Sequence, residues 1–156
     1  MLEISIPGHT ALQLKHLVLD YNGTIACDGR LYDGLNEILE MLSNTLQIHV
    51  LTADTFGNVE SELSGLPVTL SILPFDNQDQ GKLEYIQKLG SAGTVCIGNG
   101  RNDRLMLKDA GLGVALIQGE GACAETLLSA DVVCTDILSA LQLLIHPKRL
   151  AATLRL

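Results

Sequence analysis

Hydrophobic and polar positions along this chain follow two rhythms. Short apolar runs recur between longer stretches in which apolar side chains return every three or four positions. Leu17-Val18-Leu19 reads as a buried strand ending at Asp20, and Leu35, Ile38, Leu39 and Leu42 mark the stripe of an amphipathic helix. Residues 48–51 predict a second strand ending at Thr52, residues 58–63 a short helix closed by Gly65 and Pro67, and residues 68–73 a third strand. A helix over 81–89 turns Leu83, Ile86 and Leu89 inward, with Lys82 at its start. The fourth strand, 94–97, stops at Gly98-Asn99-Gly100, and a helix over 103–110 ends at Gly111. Two further steps pair strands 113–117 and 131–134 with helices 122–129 and 137–145. Pro147 is expected to interrupt the last helix and leave a basic tail, and 73–80 shows no clear period.

Strands alternating with helices predict a mainly parallel sheet covered on both faces. The expected fold is α/β, a single three-layer Rossmann-like domain over residues 1–156, without linker, repeat or low-complexity segment.

Composition narrows the function classes. Apolar residues make up 47% and charged residues 18%, a balance that suits a globular chain with one core rather than a disordered one. No apolar run is long enough to cross a bilayer, and the start, MLEISIPGHT, has neither the basic nor the apolar part of a signal peptide. A cytoplasmic protein with no membrane contact is expected. The net charge of -8 argues against nucleic acid as a partner, because phosphate backbones are repelled. Cys27, Cys96, Cys123 and Cys134 show no C-x-x-C spacing and read as reduced structural thiols rather than redox or zinc ligands. His9, His16, His49 and His146 are scattered and read as surface or strand-edge residues. Lys148, Arg149 and Arg155 read as complements to the dipole of the last helix.

In open parallel sheets, ligands bind beyond the carboxyl ends of the strands. Three polar clusters fall there: Asp20-Tyr21-Asn22-Gly23-Thr24, Thr52-Ala53-Asp54 and Gly98-Asn99-Gly100-Arg101-Asn102-Asp103. Taken singly, each is an ordinary turn or strand end. Together they suit phosphoryl transfer, in which a carboxylate attacks phosphorus and a cation with a lysine offsets the charge. Asp20 is the candidate nucleophile, with Thr52 and Lys82 as its catalytic companions. Phosphate is expected to be bound by Asn22, Gly23, Thr24, Thr52, Ala53 and Lys82. A hard cation, Mg2+, would take oxygens from Asp20, the backbone carbonyl of Asn22, and Asn99 or Asp103. Arg101 and Arg104 read equally as leaving-group contacts or as solvated charges.

These residues resemble the motifs of the haloacid dehalogenase superfamily of aspartyl-phosphate hydrolases and transferases. LVLDYNGT is similar to its first motif, VLTAD to the second, the Lys82 segment QGKLEYIQKLG to the third, and IGNGRNDRLMLKDAGLGVAL to the fourth. The wording is most similar to the phosphorylation domain of P-type cation ATPases and to small soluble proteins related to it. The resemblance implies a Mg2+-dependent phosphohydrolase with an aspartyl-phosphate on Asp20, acting on a small phosphorylated substrate or a nucleotide.

Two departures from the pattern bear on turnover. The family's usual general acid, two residues after the nucleophile, is here Asn22, which forgoes a contribution of roughly 10²–10⁴-fold. The fourth motif usually begins Gly-Asp-Gly, whereas this chain has Asn99, an amide without charge. A slow enzyme, or alternatively a binding or regulatory module with little or no activity, is therefore expected. A receiver-type switch fits poorly, because receivers place their acceptor after the third strand. Neither gap that holds a cap domain in the family is long enough for one here. An open site leaves selection to the substrate's own size or to a partner subunit, as in a homo-oligomer.

Overall fold

Before the first predicted strand the chain forms an antiparallel hairpin, β1 (Leu2–Ile4) with β2 (Leu12–Leu14). Three-residue strands carry too little pattern to stand out in a sequence. The architecture is taken from a computed structural model that describes residues 1–54 and 57–156. The chain continues through β3 (His16–Asp20), a short hairpin of β4 (Ala26–Cys27) and β5 (Arg30–Leu31), and α1 (Leu35–Ser43). Next come β6 (Gln47–Thr52), α2 (Val59–Glu62), β7 (Thr69–Ile72) and α3 (Gln78–Leu89). The second half runs β8 (Thr94–Gly98), α4 (Arg104–Asp109), β9 (Leu112–Leu116), α5 (Ala124–Ser129), β10 (Val132–Cys134), α6 (Ile137–Ile145) and α7 (Pro147–Leu154). Residues 55 and 56, inside the gap between Ala53 and Gln80, lie outside the described residues.

One six-stranded parallel sheet, ordered β10-β9-β8-β3-β6-β7, organises the molecule. The α/β fold with helices on both faces is the one predicted. Strand order reverses at β3, which pairs with β8 on one side and β6 on the other. That reversal opens a crevice beyond the carboxyl end of β3, where Asp20 stands. Alternation along β3 sends Leu17 and Leu19 to the larger core, with Leu39 of α1, Leu141 of α6 and Leu150 of α7. Val18 goes to the opposite face, with Ile86 of α3 and Met106 and Leu107 of α4. Burying each such Leu or Ile contributes about 1.5–3 kcal/mol.

Three local expectations are corrected. Helix α3 starts at Gln78 rather than at residue 81, so Lys82 lies in its second turn. The polar first turn hides its period because only later turns face the core. Pro147 does not interrupt a helix; it begins α7, where its missing N–H would have no intrahelical partner in any case. Lys148 and Arg149 thus occupy the first turn of α7 and do not complement its dipole. Among the described residues only the β4–β5 hairpin follows β3, and only α2 and β7 separate β6 from α3, so no cap covers the crevice. No helix among the described residues is long and apolar enough to cross a membrane.

Candidate active site

The crevice holds a cavity of about 420 Å³ whose walls include Asp20, Asn22, Thr52, Ala53 and Asn99. The predicted residues Gly23, Thr24, Lys82 and Asp103 stand behind that wall and shape it. The residues predicted to catalyse or to bind phosphate or the cation therefore gather at this crevice, in two layers.

The loop after β3 turns back on itself. The amides of Thr24, Ile25 and Ala26 all donate to the Tyr21 carbonyl at 3.0–3.2 Å, and the Gly23 amide donates to Ala26 at 2.7 Å. Gly23 has φ +83°, and a side chain there would run into the Asn99 amide. Only glycine fits both conditions. The turn carries the buried Thr24 hydroxyl to Asp20 Oδ2 at 3.0 Å and to Asn99 Oδ1 at 3.3 Å.

Lys82 projects from α3 between two carboxylates, 2.6 Å from Asp20 Oδ1 and 2.6 Å from Asp103 Oδ1. Burial lifts the Asp20 carboxyl to about 6, Asp103 adds to the rise, and Lys82 opposes it. Burial pulls the Lys82 ammonium down, but Asp103 and Asp20 outweigh it and hold the group above the ordinary lysine range. Lys82 is a committed cation.

Asp103 is fully buried and its oxygens are occupied. Oδ1 meets Lys82, while Oδ2 accepts from the amides of Asn99 at 2.9 Å and Gly100 at 2.8 Å. A side chain at Gly98 would collide with it. Asp103 thus orders the loop and aims Lys82. The Thr52 hydroxyl accepts from the Asp54 amide at 3.0 Å, which leaves its own proton for a ligand in the cavity.

Oxygen-bearing residues on the cavity wall suit a hard cation. Besides Asp20, the Asn22 Oδ1 is buried without a hydrogen-bond partner among the described residues, and Asn99 Oδ1 receives only the long Thr24 contact. An orphaned amide oxygen beside a carboxylate is a donor set for Mg2+ or a similar ion, although two of the three donors are uncharged. No group of three or more His, Cys, Asp or Glu gathers at metal-binding distance among the described residues.

Some contributors escaped sequence reasoning. Gln118 follows β9 and donates to the carbonyls of Gly23 at 3.2 Å and Thr24 at 2.8 Å, while its Oε1 accepts from Ile137 at the start of α6. Its place just past a strand end was the available signal. Gln78, Arg101 and Asn102 line the outer cavity, and the Asn102 amide donates to Gln78 Oε1 at 2.8 Å. Arg104 does not reach the cavity wall and pairs with Glu125 at 3.6 Å.

The fold resembles that of solved structures from the haloacid dehalogenase superfamily. Two solved structures that this chain resembles are 3-deoxy-D-manno-octulosonate 8-phosphate phosphatases. The Haemophilus influenzae enzyme, in a cobalt-bound form, has a TM-score of 0.71 at 14% identity and covers 90% of this chain and 92% of its own. The Moraxella catarrhalis enzyme, with magnesium, phosphate and its sugar, has a TM-score of 0.69 at 17% identity over 92% and 94%. The chain also matches a cation-transporting ATPase of Schizosaccharomyces pombe, 30% identical over 86% of this chain but only 11% of that protein. Two uncharacterized proteins of Methanocaldococcus jannaschii are more similar in sequence. One is 52% identical over 39% of this chain and 66% of its own length. The other is 46% identical over 25% of this chain and 89% of its own, and the chain belongs to one family with it. No protein-family model matches the chain.

Proposed function

We propose that the protein is a divalent-cation-dependent phosphohydrolase that works through an aspartyl-phosphate on Asp20. The observation that carries this reading is the Asp20 carboxylate at the cavity wall, held by Lys82 at 2.6 Å and Thr24 at 3.0 Å with Thr52 on the same wall. A carboxylate pinned at both oxygens, with Lys82 offsetting its charge, is oriented for in-line attack. An oxygen of Asp20 forms the bond to phosphorus as the bond to the leaving-group oxygen breaks, and water later splits the acyl phosphate. Thr52 donates its hydroxyl proton to a phosphoryl oxygen, and Lys82 stabilises charge on the Asp20 side. Asp20, Asn22 and Asn99 would hold the cation, Mg2+, which supplies charge neutralisation between the two anions. Asn22 can neither give nor take a proton, so the leaving group must draw its proton from solvent and turnover is slow. Substrates are small phosphoesters or nucleotides, reached through a crevice open to solvent.

The test is to incubate the full chain with Mg2+ and acetyl phosphate, then reduce with borohydride and sequence the labelled peptide. A tag on Asp20 is expected. Absence of the tag, together with no phosphate release from a broad panel of phosphoesters, would overturn the reading. It would favour a binding module, to which Asn22 and Asn99 also point.

A further inference from the structure

We infer that Arg101 selects phosphoesters whose leaving group carries a second anionic group, a carboxylate or a phosphate. This inference rests on the phosphohydrolase reading and names the substrate class of the same cavity.

Charge around the cavity motivates it. Asp20 and Asp103 together offset more than the single charge of Lys82, and Lys82 is itself buried behind the wall. A divalent cation held by Asp20, Asn22 and Asn99 would offset that excess at the floor, which leaves the outer part of the cavity, in a chain of net charge -8, dependent on a cation of its own. Arg101 is the cation that lines the cavity from the solvent side, and it makes no ion pair among the described residues. Its guanidinium stands at the rim beside Cys123.

Placement separates Arg101 from the reacting phosphoryl group. It opens the 3-10 turn Arg101–Asp103, whereas Asp20, Thr52 and Lys82 sit at strand ends and on α3. The turn is anchored by Asp103 Oδ2, which holds the Asn99 and Gly100 amides. The contact from Asn102 to Gln78 at 2.8 Å ties it to the first turn of α3. An arginine on a fixed turn beyond the nucleophile, flanked by two ordered amides, presents a planar fork to an anion and polar groups to hydroxyls. Its exposed side chain suits a contact that forms on binding.

The test uses matched three-carbon ligands: glycerol phosphate, phosphoglycerate and glycerol bisphosphate. Dissociation constants are measured by titration calorimetry in Mg2+ buffer on the full chain carrying Asp20→Asn, which removes turnover. Tighter binding of one or both anionic ligands over glycerol phosphate, by about five- to tenfold, is expected. Preference for phosphoglycerate alone names a carboxylate as the recognised group, and preference for glycerol bisphosphate alone names a phosphate. Arg101→Gln should abolish the preference, and Arg101→Lys should keep part of it. Equal affinity for all three ligands overturns the inference. A uniform loss across the series in Arg101→Gln also overturns it, because it places Arg101 on the transferring phosphoryl group. Failure of every ligand to bind overturns it as well, while the borohydride tag on Asp20 decides the underlying reading independently.

Discussion

Helix α3 faces two polar clusters on one side of the β3–β6 pair, one buried and one half-buried, and they are made of different materials. Toward the carboxyl ends of the strands, Lys82 bridges Asp20 and Asp103 with full charges. Toward the amino ends, Tyr85, one turn along α3, meets His49 Nδ1 at 3.0 Å, and His49 Nε2 meets His16 Nδ1 at 3.2 Å. Ser71 of β7 donates to the Tyr85 oxygen at 3.3 Å. Ser71, Tyr85, His49 and His16 thus form one continuous hydrogen-bonded chain of neutral groups.

The charged cluster desolvates three ions, at a cost of several kcal/mol per ion before their attraction is counted. The neutral chain contributes roughly 1 kcal/mol per hydrogen bond and strands no charge. A fold seeking stability alone would use the second kind at both ends. Charge is retained only at the end that opens into the cavity, as expected of a chemical site.

Four measurements break or sharpen that contrast. Lys82→Met leaves two buried carboxylates without their cation and should lower unfolding stability by about 3–5 kcal/mol. Urea titration reads the loss, and adding Asp20→Asn should recover part of it; an unchanged midpoint would show that the ions are not truly desolvated. Asn22→Asp supplies the absent acid and should raise phosphate release by roughly 10²–10⁴-fold. Turnover in the variant with none in the native protein would instead assign the native chain to the binding modules.

The neutral end should respond to acid. Burial first, then His16, lowers the pKa of His49; burial first, then Lys15, lowers that of His16. The unfolded chain therefore binds more protons than the folded one. The stability from this pair is complete above the ordinary histidine value of 6.5 and is lost as pH falls through and below it. Urea midpoints compared at neutral and acid pH should show that loss, and a His49→Gln variant should show less of it. The smallest effect belongs to Tyr85→Phe, which removes the link between Ser71 and His49 at about 1 kcal/mol. A much larger cost would mean that the neutral chain acts as a cooperative unit.

Sequence patterning located the charged end far better than the neutral one. Asp20, Thr52 and Asn99 could be read because each follows an apolar run, and parallel strands deliver their carboxyl ends to one edge. Lys82 was legible through the motif order, although the start of its helix was not. The pairing of His16 with His49 was not legible, since the two are separated by a helix and meet only through the β3–β6 register, in which Val18 lies opposite His49. The histidines read as scattered because contact depends on that register. Gln118 was missed for a related reason: its partners, Gly23 and Thr24, lie in a loop distant in sequence.

Periodicity and strand ends, being local, were enough to determine the parallel α/β fold and the sheet edge at which Asp20, Thr52 and Asn99 gather. Which oxygens stay free was decided only in three dimensions. Asp103, a candidate cation ligand by motif, has both oxygens occupied by Lys82 and two backbone amides, while Asn22, the residue without an acid, keeps a buried oxygen unpaired. Hydrogen-bond satisfaction is a property of all neighbours at once, so no stretch of sequence contains it.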